Sequence, residues 1–98
     1  MTTTIYTLLK SAAEAKEGDS KRWPGGRGLY FVRGSLSSSS SMQELQVSDD
    51  NVNFVEYSGS KGITMTLEVF IPEGFYVRSV TSGEFDEGDS VTCVLATV

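Results

Sequence analysis

Ninety-eight residues suit one ordinary domain with a single small core. Hydrophobic residues at 39%, charged residues at 21%, ten glycines and only two prolines describe a chain that folds rather than one that stays disordered. With no histidine and one cysteine, the chain excludes Ser/His/Asp and Cys/His nucleophile systems, histidine metal sites, disulfide frameworks and zinc clusters, so neither an enzyme nor a cofactor is expected. The net charge of −5 divides unevenly: residues 1–34 carry six basic groups against three acids, and residues 35–98 carry two against ten. The acidic majority disfavours nucleic acid as a partner unless the fold gathers the basic residues onto one face, and a protein surface of mixed charge is the better match. No apolar stretch approaches the ~20 residues that span a bilayer, and nothing resembles a signal peptide. A soluble protein made in a cytoplasm, without membrane contact, is the expectation.

Residues 5–9 form a short first strand. The following stretch, residues 8–17, is rich in helix formers but short, and suits either a helical turn or a strand running on into a surface loop. The glycine-rich basic loop Lys21-Arg-Trp-Pro-Gly-Gly-Arg-Gly28 leads into a strand over residues 28–34. Residues 42–47, 75–80 and 90–98 carry the β-branched and aromatic residues that strands prefer, and residues 54–57 do so over a shorter run. The clearest period is at residues 63–71, where Ile63, Met65, Leu67, Val69 and Ile71 alternate with Thr64, Thr66, Glu68 and Phe70, the pattern of a half-buried strand. Turn-forming clusters at residues 48–51, 58–62, 72–74 and 84–89 separate these runs. The spacing predicts an all-β protein, a single small antiparallel β-sandwich or barrel of about seven strands. Residues 1–21 are an N-terminal strand or arm and loop, and residues 22–98 the sandwich proper, within one domain overall.

Several features invite a chemical reading. The serine run at residues 37–41 reads as a flexible hairpin loop. The tetrapeptide Glu17-Gly-Asp-Ser20 recurs as Glu87-Gly-Asp-Ser90, which two similar tight turns explain. Asp86, Glu87 and Asp89 are weak calcium candidates, because oxygen-rich loops hold calcium only when six or more ligands converge; solvated turns are the plainer reading, and no metal is expected. Cys93, inside an apolar run, reads as a buried reduced thiol. Trp23, Tyr30, Tyr57 and Tyr76 would form a sugar-stacking platform if exposed on one face. Trp23, flanked by Arg22 and Arg27, has the make-up of an interface anchor and equally that of a residue capping its own core.

The segments Arg22-Trp-Pro-Gly-Gly-Arg-Gly-Leu-Tyr-Phe-Val-Arg-Gly34, Met42-Gln-Glu-Leu-Gln-Val-Ser-Asp-Asp-Asn-Val-Asn-Phe-Val55 and Ile71-Pro-Glu-Gly-Phe-Tyr-Val-Arg78 resemble small virion structural proteins of tailed bacteriophages, the capsid decoration or cement-like β-sandwich proteins. The resemblance covers residues 22–98 and departs at the serine run, where the group has a glycine-rich turn with an apolar residue. It implies a non-enzymatic virion protein that decorates or cements a capsid by protein–protein contacts, with the major capsid protein or neighbouring virion proteins as partners. Lys21, Arg22, Trp23, Arg27 and Tyr30 are the candidate interface residues, and a homo-oligomer, dimer or trimer, is the expected form. The competing expectation is a carbohydrate-binding or host-adhesion module using exposed tyrosines.

Overall fold

Alternating side chains and frequent turn residues give a chain of short strands that must each bury one face. A computed structural model describes residues 3–36 and 41–98. The strands are β1 (Ile5–Ala12), β2 (Lys21–Arg22), β3 (Gly26–Ser35), β4 (Met42–Ser48), β5 (Val55–Glu56), β6 (Met65–Ile71), β7 (Tyr76–Ser82) and β8 (Ser90–Thr97). They form two four-stranded sheets, in the orders β1-β8-β3-β6 and β2-β7-β4-β5, with every pairing antiparallel. Among these strands only β5 follows its predecessor within the same sheet; every other connection crosses over. The expected small antiparallel sandwich is present, with two two-residue strands closing the edges of the second sheet. Of the serine run only Ser41 lies within the described residues, where it is buried.

The core lies between the sheets. In β3, Gly28, Tyr30 and Val32 point inward while Leu29 and Phe31 point outward, and in β7 Val77, Ser79 and Thr81 point inward. The alternation expected for residues 63–71 holds in its C-terminal part: Val69 and Ile71 are buried, Met65 and Leu67 half-buried, and Ile63 exposed and outside the strand.

The helix-friendly stretch is strand and loop. β1 pairs with β8 as far as Ala12 but with register shifts after Thr7 and after Leu9. Each extra residue turns the following side chains over, so Leu8 and Leu9 are both buried although adjacent. Beyond β1 the chain crosses to the second sheet and runs beside β7: Lys16 and Thr81 exchange backbone N–H···O bonds of 3.2 and 2.9 Å, and Gly18 N–H donates to Ser79 O at 2.8 Å. A Cβ on Gly18 would sit 2.3 Å from the Leu8 carbonyl oxygen, so only glycine lets this segment lie against β1 and close that side of the sandwich. The repeated tetrapeptide therefore has two structures. Gly88 takes the left-handed φ of +88° in a turn, whereas Glu17 bridges Val80 and Gly18 has no positive φ.

Candidate functional site

The loop between β2 and β3 fixes the fate of Trp23. Its N–H donates to Phe75 O at 2.7 Å and its carbonyl accepts from Gly74 N–H at 2.9 Å. Gly25 and Gly26, at φ +102° and +84°, then turn the chain into the first sheet, a path that L side chains resist. The indole is fully buried, with its ring centroid 5.7 Å from that of Tyr6 and its Nε1–H donating to Gly26 O at 3.3 Å. Of the two readings left open by the sequence, this is the core one: the anchor expected to reach a partner is used to cap its own sandwich.

Tyr30 is likewise no surface residue. It is fully buried, and its hydroxyl donates to Gln43 Oε1 and lies 2.7 Å from Ser79 Oγ. The Gln43 amide donates in turn to Ser60 O at 2.8 Å. Burial pushes the Tyr30 phenol far above its ordinary pKa, and nearby Cys93 adds to the rise. Burial also raises the Cys93 thiol. Both groups are neutral structural members of a network that leaves no buried side-chain N or O among the described residues without a partner. With Trp23 and Tyr30 fully buried, the four rings do not share the single exposed face that a sugar-stacking platform requires; the Tyr57 hydroxyl accepts from Phe70 N–H at 3.0 Å.

The basic members of the predicted set remain outside. Lys21, Arg22 and Arg27 are exposed, but Arg27 is engaged with Glu68 at 3.9 Å. Lys21 belongs instead to a group that sequence order concealed. A groove of about 310 Å³ between β1 and residues 16–21 brings together Lys10, Lys16 and Lys21 with Glu17 and Asp19. Glu17 is drawn to Arg78 at 3.4 Å, and Arg78 is itself held by Gln46 at 2.8 Å and over the Phe54 ring at 3.9 Å. Among the described residues no ion pair engages Lys10, Lys16 or Lys21. The groove thus holds three lysines against two acids, a locally basic spot on an acidic molecule. Lys10 and Lys16 escaped the sequence reading because the crossing of residues 13–20 between sheets, which brings them beside Lys21, has no local signature.

The acidic loops hold themselves. Asp89 is buried and accepts from Asp86 N–H at 2.9 Å, while its own N–H donates to Asp86 O at 3.0 Å. Glu87 is exposed, and among the described residues no three acidic or thiol groups converge as metal ligands; Asp86, Glu87 and Asp89 form a capped turn. Asp50 caps the loop after β4, accepting from Val52 N–H at 2.9 Å and Asn53 N–H at 2.8 Å. These bonds, the Asn53 one foremost, hold its carboxyl well below the usual carboxylate range.

No protein-family model and no curated protein matches the chain. The fold is similar to the crystal structure of SPBc2 prophage-derived protein YomS, at a TM-score of 0.67 and 20% identity, covering 98% of this chain and 94% of that one. The likeness at this identity concerns the fold and extends over both chains almost end to end.

Proposed function

We propose that this chain is a non-enzymatic bacteriophage structural protein that attaches to the major capsid protein or a neighbouring virion protein as a decoration or cement subunit. The observation that carries this reading is the groove that gathers Lys10, Lys16 and Lys21, against Glu17 and Asp19, on a molecule of net charge −5. A subunit of this kind docks its basic side on an acidic neighbour and turns its acidic remainder to solvent. The whole-chain likeness to a prophage-derived protein supports a phage setting, and the resemblance of residues 22–98 to phage decoration proteins supports the virion as its location. The docking residues are Lys10, Lys16 and Lys21, with Arg22 at the margin. Trp23 serves attachment only by anchoring the chain beside β2, the strand that bears Lys21 and Arg22. Co-sedimentation of the purified chain with assembled capsids of its source tests the reading: saturation at a fixed copy number per shell supports it, and failure to pellet with shells contradicts it.

A further inference from the structure

The outer face of the β1-β8-β3-β6 sheet is built unlike a solvated face. An antiparallel sheet with one side in water alternates polar residues outward, but here the outward positions include Ile5 on β1, Leu29 and Phe31 on β3 and Phe70 on β6, with Val98 just past β8. They are exposed by 64%, 38%, 42%, 69% and 59%. The registers show that they share a face. Ile5, Ala96, Leu29 and Glu68 stand in one row across the four strands, and Thr7, Val94, Phe31 and Thr66 in the next. Arg27 and Phe70 lie on one side of these rows, and Arg33 on the other. The two central strands are apolar across these rows, and the charges sit at the strand ends and, with Glu68, on the edge strand β6, the layout of an interface core with a polar rim. Arg27 and Glu68, both exposed, already neutralise one another.

We infer that this face is the interface of a homodimer in which two copies pack sheet on sheet. The choice of occupant follows from area and charge. Four strands about 4.8 Å apart and eight residues of about 3.3 Å rise give a face of roughly 500 Å² in projection, against about 800 Å² of accessible surface per partner in a standard interface. A stable contact must therefore cover nearly the whole face, which asks for a partner as flat and as large, and a second copy of the same sheet supplies it. The symmetry also works. A two-fold axis in the plane of the face and across the strands sets Leu29 over Phe31 of the partner subunit and Ala96 over Val94 of the partner subunit. The same axis sets Arg33 over Arg27 of the partner subunit, a like-charge contact at the margin that the ion pair between Arg27 and its own Glu68 offsets. An axis along the strands would instead lay Glu68 on the partner subunit's Ile5, burying a carboxylate against hydrocarbon. Sheets packed in this way cross at about 30° with an apolar layer between them. The inference stands apart from the docking reading, because the face adjoins the lysine groove at β1 but uses none of its lysines.

Sedimentation velocity of the full chain over a wide concentration range tests it, with wild type beside the double variant Leu29→Glu/Phe31→Glu and a control, Lys16→Glu/Lys21→Glu. The expected result is a concentration-dependent dimer for wild type and the control, and a 10.6 kDa monomer for the face variant with unchanged far-UV circular dichroism. Both substituted side chains point outward, so the sandwich itself is spared. A wild type that stays monomeric at the highest concentration, or a folded face variant that still dimerises, overturns the assignment. Neither result bears on capsid attachment, which is read separately by pelleting.

Discussion

The phenolic hydroxyl of Tyr30 on β3 donates to the side-chain carbonyl of Gln43 on β4, joining the two sheets through the middle of an otherwise apolar core. Ser79 on β7 and Cys93 on β8 contact the same pair, the Ser79 hydroxyl at 2.7 Å from the phenol oxygen and the Cys93 sulfur at 3.8 Å from Gln43 Oε1. A buried network in which every member is satisfied fixes how two sheets stack, and a partly satisfied one is destabilising. Tyr30→Phe keeps the ring and removes the hydroxyl, leaving Gln43 and Ser79 each short of a partner in a dry site. The expected loss is about 1–3 kcal/mol, read as a lower urea midpoint with an unchanged slope. An unchanged midpoint would remove the network from the account of stability.

Alkaline pH acts through the same residues. The Tyr30 phenol and the Cys93 thiol both have raised pKa values in the folded state, chiefly through burial. A raised folded pKa contributes stability that is complete below the unfolded-state value and declines as pH rises above it. Those unfolded values are about 8.5 for cysteine and about 10 for tyrosine. Unfolding free energy should therefore be insensitive to these groups near neutral pH and fall from about pH 9 upward, more steeply past about pH 10. Tyr30→Phe should lose the steeper part, and the native thiol should resist Ellman's reagent until the chain unfolds. Denaturant titrations at stepped pH check the first point, and thiol labelling checks the second.

Trp23 should behave as a core residue. Trp23→Ala is expected to cost about 3–5 kcal/mol, the range for deleting a large buried aromatic, and to abolish the near-UV signal of the indole. Gly28→Ala tests the same packing from the other side, because a Cβ there would lie 2.8 Å from the Trp23 ring. A Trp23→Ala variant as stable as wild type would return the indole to the surface.

Asp50 gives an acid-side prediction. Its carboxyl is held well below the usual range by the N–H groups of Asn53 and Val52, together with the side chains of Asn53 and Ser48. A depressed folded pKa contributes stability that is present above the unfolded value of about 3.9 and lost as pH falls through the folded one. An NMR titration should find Asp50 still ionised at about pH 3, where unperturbed carboxylates are largely protonated. Asp50→Ala should loosen residues 48–53 while leaving the strand pairings intact, visible as faster amide exchange confined to that loop.

The strands over residues 28–34, 42–47, 75–80 and 90–98 were legible because each carries β-branched or aromatic residues and turn-forming clusters separate the runs. β1 was harder to read, since its buried set, Leu8, Leu9 and Ala12, follows neither a period of two nor a clean helical stripe; two register shifts produced it, and such shifts leave no mark in composition. Trp23 was evenly balanced in sequence because flanking arginines accompany both an interface anchor and a capped core. Only the hydrogen bonds to Phe75 and Gly74, some fifty residues away, decide between them. The outward apolar face did have a signal: Leu29-Tyr-Phe-Val32 is apolar at both parities, and a strand with one solvated side does not require that. The lysine groove had none, because Lys10, Lys16 and Lys21 meet only through the crossing at Gly18.

The most direct test of attachment through that groove is co-sedimentation with assembled capsids at increasing salt, comparing wild type with Lys16→Glu/Lys21→Glu. The account predicts saturable binding that weakens as salt screens the charges, and at least a tenfold loss of affinity, about 1.4 kcal/mol, in a double variant that melts at the wild-type temperature. A charge-reversed variant that is folded and pellets with capsids as wild type does would contradict it.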